Sequence, residues 1–201
     1  MTKNLGAVVW FTGLPASGKS TIAREVYQRL LDRGYATELL DGAEVRESLS
    51  RGLSFTPDDR EEHVRRIGFV AKLLARNGVI AICAAVSPSR ATRGEVRANT
   101  TNFIEVYAEC PVEVAASRDR EGMYARARRG EIKDFTGVNA PYEAPLSPEV
   151  HLHADVESVD VAAWKVVRTL EMMGIVPGLS QAAPTPIEDD IRRRLASLGY
   201  L

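Results

Sequence analysis

The segment Trp10 to Thr21, WFTGLPASGKST, constrains this chain more than any other, because it contains a complete G-x-x-x-x-G-K-S pattern from Gly13 to Ser20. The run before it, Ala7 to Phe11 (AVVWF), is continuously apolar and rich in β-branched and aromatic residues, as a buried parallel strand is. After it, Ile22, Val26, Leu30 and Leu31 recur at helical spacing. A strand, a glycine-rich loop and a helix in this order form a phosphate loop. Its backbone N–H groups wrap the phosphates of a nucleotide, its lysine neutralises the outer ones, and its hydroxyl serves Mg²⁺. Gly13, Ala16, Ser17, Gly18, Lys19, Ser20 and Thr21 are therefore expected to bind a nucleoside triphosphate, with Ser20 on the metal. The pattern alone arises by chance in roughly one chain of this length in a hundred, and the flanking strand and helix lower that further.

Apolar runs alternate with helical patterns along the rest of the chain, which predicts an α/β fold of the three-layer α/β/α phosphate-loop type. Five strands of a mostly parallel sheet are expected near Ala7 to Phe11, Ala36 to Leu40, Val79 to Ala85, Phe103 to Ala108 and Val150 to Ala154. The clearest helix runs from Pro57 to Arg76, where Val64, Ile67, Val70, Ala71 and Leu74 form one stripe and Asn77–Gly78 stop it. One domain is expected over 1–175. Residues 176–201 read as a linker and a short amphipathic helix built on Ile187, Ile191, Leu195 and Leu198, with Thr185 and Glu188 as a capping box. The stretch Glu121 to Pro145, basic and glycine-bearing, reads as a lid over an anionic ligand.

Composition narrows the function. A net charge of -1 supplies no field for nucleic acid or an anionic membrane. Of the 26 basic residues, 21 are arginine, whose planar fork suits phosphate and sulfate oxygens. Cys83 and Cys110 form no metal-binding pair, and His151 and His153, alternating along an expected strand, read as ordinary strand residues. The first strand follows the N-terminus closely and no apolar run reaches membrane-spanning length, so a cytoplasmic protein is expected.

The expected second strand ends at Asp41, with Arg46 about one helical turn beyond. Ligands of open parallel sheets sit at the carboxyl ends of strands. Asp41 is thus placed beside the phosphate loop, where a carboxylate can orient an acceptor hydroxyl, take its proton or hold Mg²⁺. Phe55, Arg60, Arg65 and Arg66 add an aromatic face and cations, and Ser87, Pro88, Ser89 and Arg90 follow the third strand. Together they describe a second pocket, for an aromatic, anionic acceptor.

With these residues the sequence resembles the adenylylsulfate kinase family. Similar to that family are GLPASGKST, LDG-x-x-x-R at Asp41 to Arg46, DR-x-E at Asp59 to Glu62, SP-x-R at Ser87 to Arg90, RD-x-x-G-x-Y at Arg118 to Tyr124, and GEIKDFTGVNAPYEAPLSPEV at Gly130 to Val150. The resemblance implies transfer of the ATP γ-phosphate to the 3′-hydroxyl of adenylyl sulfate, with Mg²⁺, in sulfate assimilation. By position it implies acceptor contacts from Asp41, Arg46, Phe55, Arg60, His63, Arg65, Ser87, Pro88, Lys133, Phe135 and Thr136. Phe55 and Phe135 would sandwich the adenine, Lys19, Asp41 and Ser87 would be the catalytic group, and Asp41 would join Ser20 at the metal. Arg118 and residues 121–130 would close over ATP. Ser87 matches the serine that bacterial members carry as a candidate phosphoserine; since in-line transfer needs only positioning and charge stabilisation, Ser87 is expected to bind substrate instead. A homodimer and functional coupling to ATP sulfurylase are also implied. The chain departs from the family pattern at Ala43, His63 and Ser89, all on the acceptor side. Two rivals follow: a kinase of the same fold for another nucleotide or sugar nucleotide, and a non-catalytic nucleotide-binding module.

Overall fold

In a computed structural model, which describes residues 5–178 and 186–201, the chain builds a five-stranded sheet in the order β2-β3-β1-β4-β5. Its strands are β1 (Ala7–Thr12), β2 (Thr37–Asp41), β3 (Ile80–Ala84), β4 (Phe103–Glu109) and β5 (Val150–His153). All four pairings are parallel, so the sheet is wholly rather than mostly so. Each strand lies within a residue or two of its expected place.

Strand alternation sorts the core into two layers. Val9, Phe11, Ile82, Ile104, Val106 and Leu152 pack against helices α1 (Lys19–Asp32) and α7 (Val159–Met172). Val8, Trp10, Ala81 and Cys83 face α3 (Pro57–Arg76) and α4 (Arg90–Ala98). The central strand β1 is buried along its whole length, which explains its unbroken apolar composition. Helix α3 has the expected bounds, and Val64, Ile67 and Ala71 are buried. Thr56 caps its start through Asp59 N–H, and Pro57 occupies its first turn, where a missing N–H costs nothing.

Shorter helices complete the chain: α2 (Gly42–Ser48), α5 (Val112–Arg118), α6 (Met123–Arg128) and α8 (Pro186–Ser197). The expected lid is α6 followed by turns, with an apolar cluster of its own from Cys110, Ala115, Tyr124, Ala127 and Phe135. Helix α8 packs on α7 through buried Ile191 and Leu195, and Arg168 of α7 pairs with Glu188 at 2.6 Å. Beyond it Tyr200 Oη hydrogen-bonds Glu149, and Arg194 Nε donates to Pro148 O, both beside the start of β5. Thr185, the expected cap of α8, and most of the expected linker lie outside the described residues. Among the described residues no helix is long and apolar enough to cross a membrane.

Candidate active site

The phosphate loop leaves the carboxyl end of β1. Gly13 sits at φ 151°, and a Cβ there would lie 2.5 Å from Ala108 O of β4, so only glycine admits this approach. The loop delivers the chain into α1, whose N-cap Gly18 offers no side-chain cap and whose first turn has no acidic residue. By contrast α2, α3, α4 and α7 are capped by Asp41, Thr56, Ser89 and Ser158. The first N–H groups of α1, those of Lys19, Ser20 and Thr21 among them, are thereby left for an anion, at the positive end of the helix dipole.

Lys19 is buried and its Nζ folds back on the loop, donating to Leu14 O at 2.6 Å and Ser17 Oγ at 3.4 Å. Burial lowers its pKa to about 8, against the pull of Asp41 and Cys110 in the other direction. Asp41 ends β2 in register with Ala84 and caps α2, Oδ1 accepting from Ala43 N–H at 3.0 Å. The strand-end carboxylate and the loop lysine thus face one another across the sheet's carboxyl edge. The oxygens of Ser20 and Asp41 are the hard donors that Mg²⁺ takes, so these residues suit that ion.

Opposite the loop, Arg46 of α2 stacks on the Phe55 ring at 4.6 Å and donates to Ser54 O at 3.0 Å. Ser54 is tied in turn to Asp59, so the loop carrying Phe55 is held from both ends. Phe55 is 59% exposed, a large apolar ring with a free surface. Arg60 Nη1 donates to Thr136 Oγ1 at 2.9 Å and so joins α3 to the lid. His63 is buried: its Nδ1 lies 2.7 Å from Ser50 Oγ and its ring is hydrogen-bonded to the Gly42 backbone. Burial first, then Arg46, pushes its pKa down to about 4, so the ring is neutral near pH 7.

Other expected residues are placed elsewhere. Arg65 is not brought to this group; it pairs with Glu95 of α4 at 2.8 Å and with Glu61 at 3.1 Å on the outer face of α3. Phe135 is buried edge-on against Tyr124, ring centroids 4.9 Å apart, in the floor of the lid. Lys133 is exposed on the lid surface. Arg118 spans the exit of β5, donating to Ala154 O at 2.8 Å and Asp155 O at 3.2 Å. Ser87 departs furthest from expectation. Its hydroxyl is inside the wall, accepting from Trp10 Nε1 at 3.0 Å and lying 3.0 Å from Thr12 Oγ1, and its backbone takes φ 40°. A buried indole N–H needs an acceptor, and Ser87 supplies it. Its Oγ is thus taken up inside the wall of the loop that follows β3.

Four residues unforeseen from the sequence, Arg93, Arg97, Glu105 and Glu149, form the network that holds that loop. Arg93 of α4, 3% exposed, donates to Glu105 at 2.7 Å, to Ser87 O at 2.6 Å and to Glu143 O at 2.7 Å. Arg97 pairs with Glu149 at 2.7 Å and Glu105 at 3.4 Å, and Glu149 also accepts from Glu105 N–H. The signal was a glutamate inside the apolar strand FIEVYAE, since a buried carboxylate demands a cation.

The lid closes on both halves. Tyr124 Oη donates to Pro15 O at 2.9 Å, and Gly137, at φ 91°, comes so near Leu14 that a Cβ would lie 2.9 Å from its side chain. A cleft of about 540 Å³ lies there, lined by Leu14, Val112 and residues 137–142.

A family profile described as adenylylsulphate kinase matches residues 5–153. An adenylyl-sulfate kinase of Chloroflexus aurantiacus is 49% identical over 179 residues, 89% of this chain and 96% of that one. A probable bifunctional SAT/APS kinase of Sorangium cellulosum is 49% identical over 86% of this chain and 30% of its own. The solved APS kinase of Mycobacterium tuberculosis, in complex with AMPPNP and APS, is 39% identical with a TM-score of 0.79, covering 83% of this chain and 98% of that one.

Proposed function

This chain belongs to the adenylylsulphate kinase family, and on that premise we propose how its residues move the γ-phosphate of ATP onto the 3′-hydroxyl of adenylyl sulfate, giving 3′-phosphoadenylyl sulfate and ADP. The acceptor oxygen forms a bond to the γ-phosphorus as the bond to the β–γ bridging oxygen breaks. Lys19 leaves Leu14 O for the outer phosphates and offsets the charge that spreads over them in the transition state. Because Oδ1 of Asp41 is engaged by Ala43 N–H, Oδ2 is the atom left to orient the acceptor hydroxyl and take its proton. Ser20, with Asp41 through water, would hold Mg²⁺, which when bound neutralises phosphate charge. Phe55 offers its exposed face to the adenine of the acceptor, Arg46 and Arg60 meet its phosphosulfate, and Arg118 closes over ATP with the lid.

The observation that carries this reading is the lid's double attachment. Residues 124–137 touch the phosphate loop at Pro15 and Leu14 and the acceptor side at Arg60, so one segment spans donor and acceptor. Purified protein with ATP, Mg²⁺ and adenylyl sulfate should release ADP and the 3′-phosphorylated product at micromolar acceptor. ATP binding with turnover only on another nucleotide would transfer the assignment to a kinase of shifted specificity. His63, packed on Ser50 and Gly42 at one of the positions where the chain departs from the family pattern it resembles, is the observation that favours testing that alternative.

We extend the reading to its setting. The relative that joins SAT and APS kinase in one chain supports coupling to a sulfurylase. A homodimer is the assembly expected of the family, and its mass by light scattering tests it. ATP as donor supports a cytoplasmic location.

A further inference from the structure

Strands β4 and β5 turn a row of polar side chains to the face opposite α1 and α7. Tyr107 pairs in register with His151, and Glu109 with His153, so the period of two puts all four on that face. Glu109 Oε2 lies 2.7 Å from His151 Nε2 and 3.3 Å from His153 Nδ1. One ligand atom from each of the three residues lies within 4.8 Å of the other two. The Tyr107 ring stacks on His151 at 5.2 Å and 23°, holding the imidazole plane. Exposure rises outward, from 29% for the His151 side chain to 43% for Glu109 and 55% for His153, so the cluster opens to solvent.

Two imidazole nitrogens and a carboxylate oxygen converging in this way are the donor set of a three-ligand zinc centre. Around a tetrahedral ion with bonds of about 2.0–2.1 Å, neighbouring donors sit about 3.4 Å apart. The 3.3 Å contact from His153 to Glu109 is close to that spacing, the 2.7 Å contact from His151 has to open by about 0.7 Å to reach it, and the widest separation closes by rotation of the exposed His153 ring. We propose that Glu109, His151 and His153 form a site for a late first-row divalent ion of the Zn²⁺ class, with a fourth position open to solvent. Imidazole donors set it apart from the all-oxygen Mg²⁺ chemistry of the nucleotide cleft. The His-x-His half of the site was visible in the sequence. The third donor was not, because Glu109 lies 42 residues before His151 and only parallel pairing of β4 with β5 brings it across.

The site is also linked to the lid. Tyr107 stacks on Tyr142 at 6.0 Å, and Tyr142 Oη lies 2.9 Å from Thr12 Oγ1, next to the phosphate loop. An ion that fixes His151 therefore firms an aromatic shelf whose far end is a lid residue.

The test uses full-length protein without any polyhistidine tag, stripped with chelator, folded by circular dichroism and free of nucleotide, titrated with Co²⁺ and then Zn²⁺. One equivalent of Co²⁺ should develop visible d–d absorption, Zn²⁺ should abolish it, and millimolar Mg²⁺ should not. Glu109→Gln and His153→Asn should each weaken binding by about 10- to 100-fold or more, while Cys110→Ser leaves it unchanged. All three native side chains are partly exposed, so the variants should keep the native far-ultraviolet spectrum. No saturable binding, displacement by Mg²⁺, or equal affinity in native protein and both ligand variants would overturn the assignment.

Discussion

Arg93→Met is the most demanding test of the buried ionic network behind the acceptor loop. The native guanidinium is 3% exposed and makes three short hydrogen bonds, to Glu105, Ser87 O and Glu143 O. Removing one partner of a buried pair leaves an uncompensated charge and costs about 3–5 kcal/mol. Arg97 still lies 3.4 Å from Glu105, which pulls the electrostatic part to the low end of that range. The two carbonyls lose their donor as well, which restores the total to about 4 kcal/mol. At about 2–4 °C per kcal/mol for a chain of this size, the melting temperature should fall by about 8–16 °C. Scanning calorimetry at pH 7 measures it. Combining Arg93→Met with Glu105→Leu removes both charges and should recover most of the loss. In surviving protein the KM for adenylyl sulfate should rise more than that for ATP, because Arg93 holds the Ser87 loop and the Glu143 segment together. A fall below about 3 °C, or a double variant less stable than the single one, would refute the view that Arg93 neutralises a buried carboxylate.

Three other outcomes are expected. Lys19→Ala should lower kcat by about 10²–10³-fold in the ATP-coupled assay, and in native protein kcat/KM for ATP should fall above about pH 8 as the buried ammonium loses its proton. For His63, whose folded pKa of about 4 lies below the ordinary 6.5, stability is full above pH 6.5 and is lost as pH falls toward 4, by about 2.5 kcal/mol between pH 7 and 4.5; urea unfolding should show His63→Asn lacking that dependence. Ser87→Ala should cost about 1–3 kcal/mol by leaving the Trp10 indole unpaired, yet retain phosphoryl transfer with no phosphoserine by mass spectrometry; loss of activity in stable protein would restore a direct role for its hydroxyl.

Much of the fold was legible because burial and periodicity act locally. β1 sits between β3 and β4 and is apolar throughout, and α3 shows its stripe, its Thr56 cap and its Asn77–Gly78 stop in consecutive residues. The phosphate loop was legible for the same reason: its function needs a contiguous backbone shape. The acceptor side was harder, since its residues come from α2, α3 and the lid. Arg65 belongs to the same helix as Arg60, but five residues on, about 500° of turn later, its side chain emerges on another face and meets Glu95. Ser87 stands at a strand's carboxyl end as a substrate ligand would, yet its hydroxyl is claimed by Trp10 from a neighbouring strand. Arg93 reads as a surface helix residue until Glu105 is seen across from it, twelve positions away.

The docking of α8 bears on what can be attached to this enzyme. Tyr200 is fastened to Glu149 just before β5 begins, and β1 begins at Ala7, so residues near both ends of the chain lie by the amino ends of the strands. The nucleotides enter at the opposite edge. A partner that engages the protein around Ala7 or Tyr200 would therefore leave the cleft open to diffusing substrates. At Tyr200 such a partner would also touch the catalytic half mechanically, since a pull on Tyr200 is transmitted by Glu149 and Arg97 to Glu105, and from there to the arginine that holds the acceptor loop.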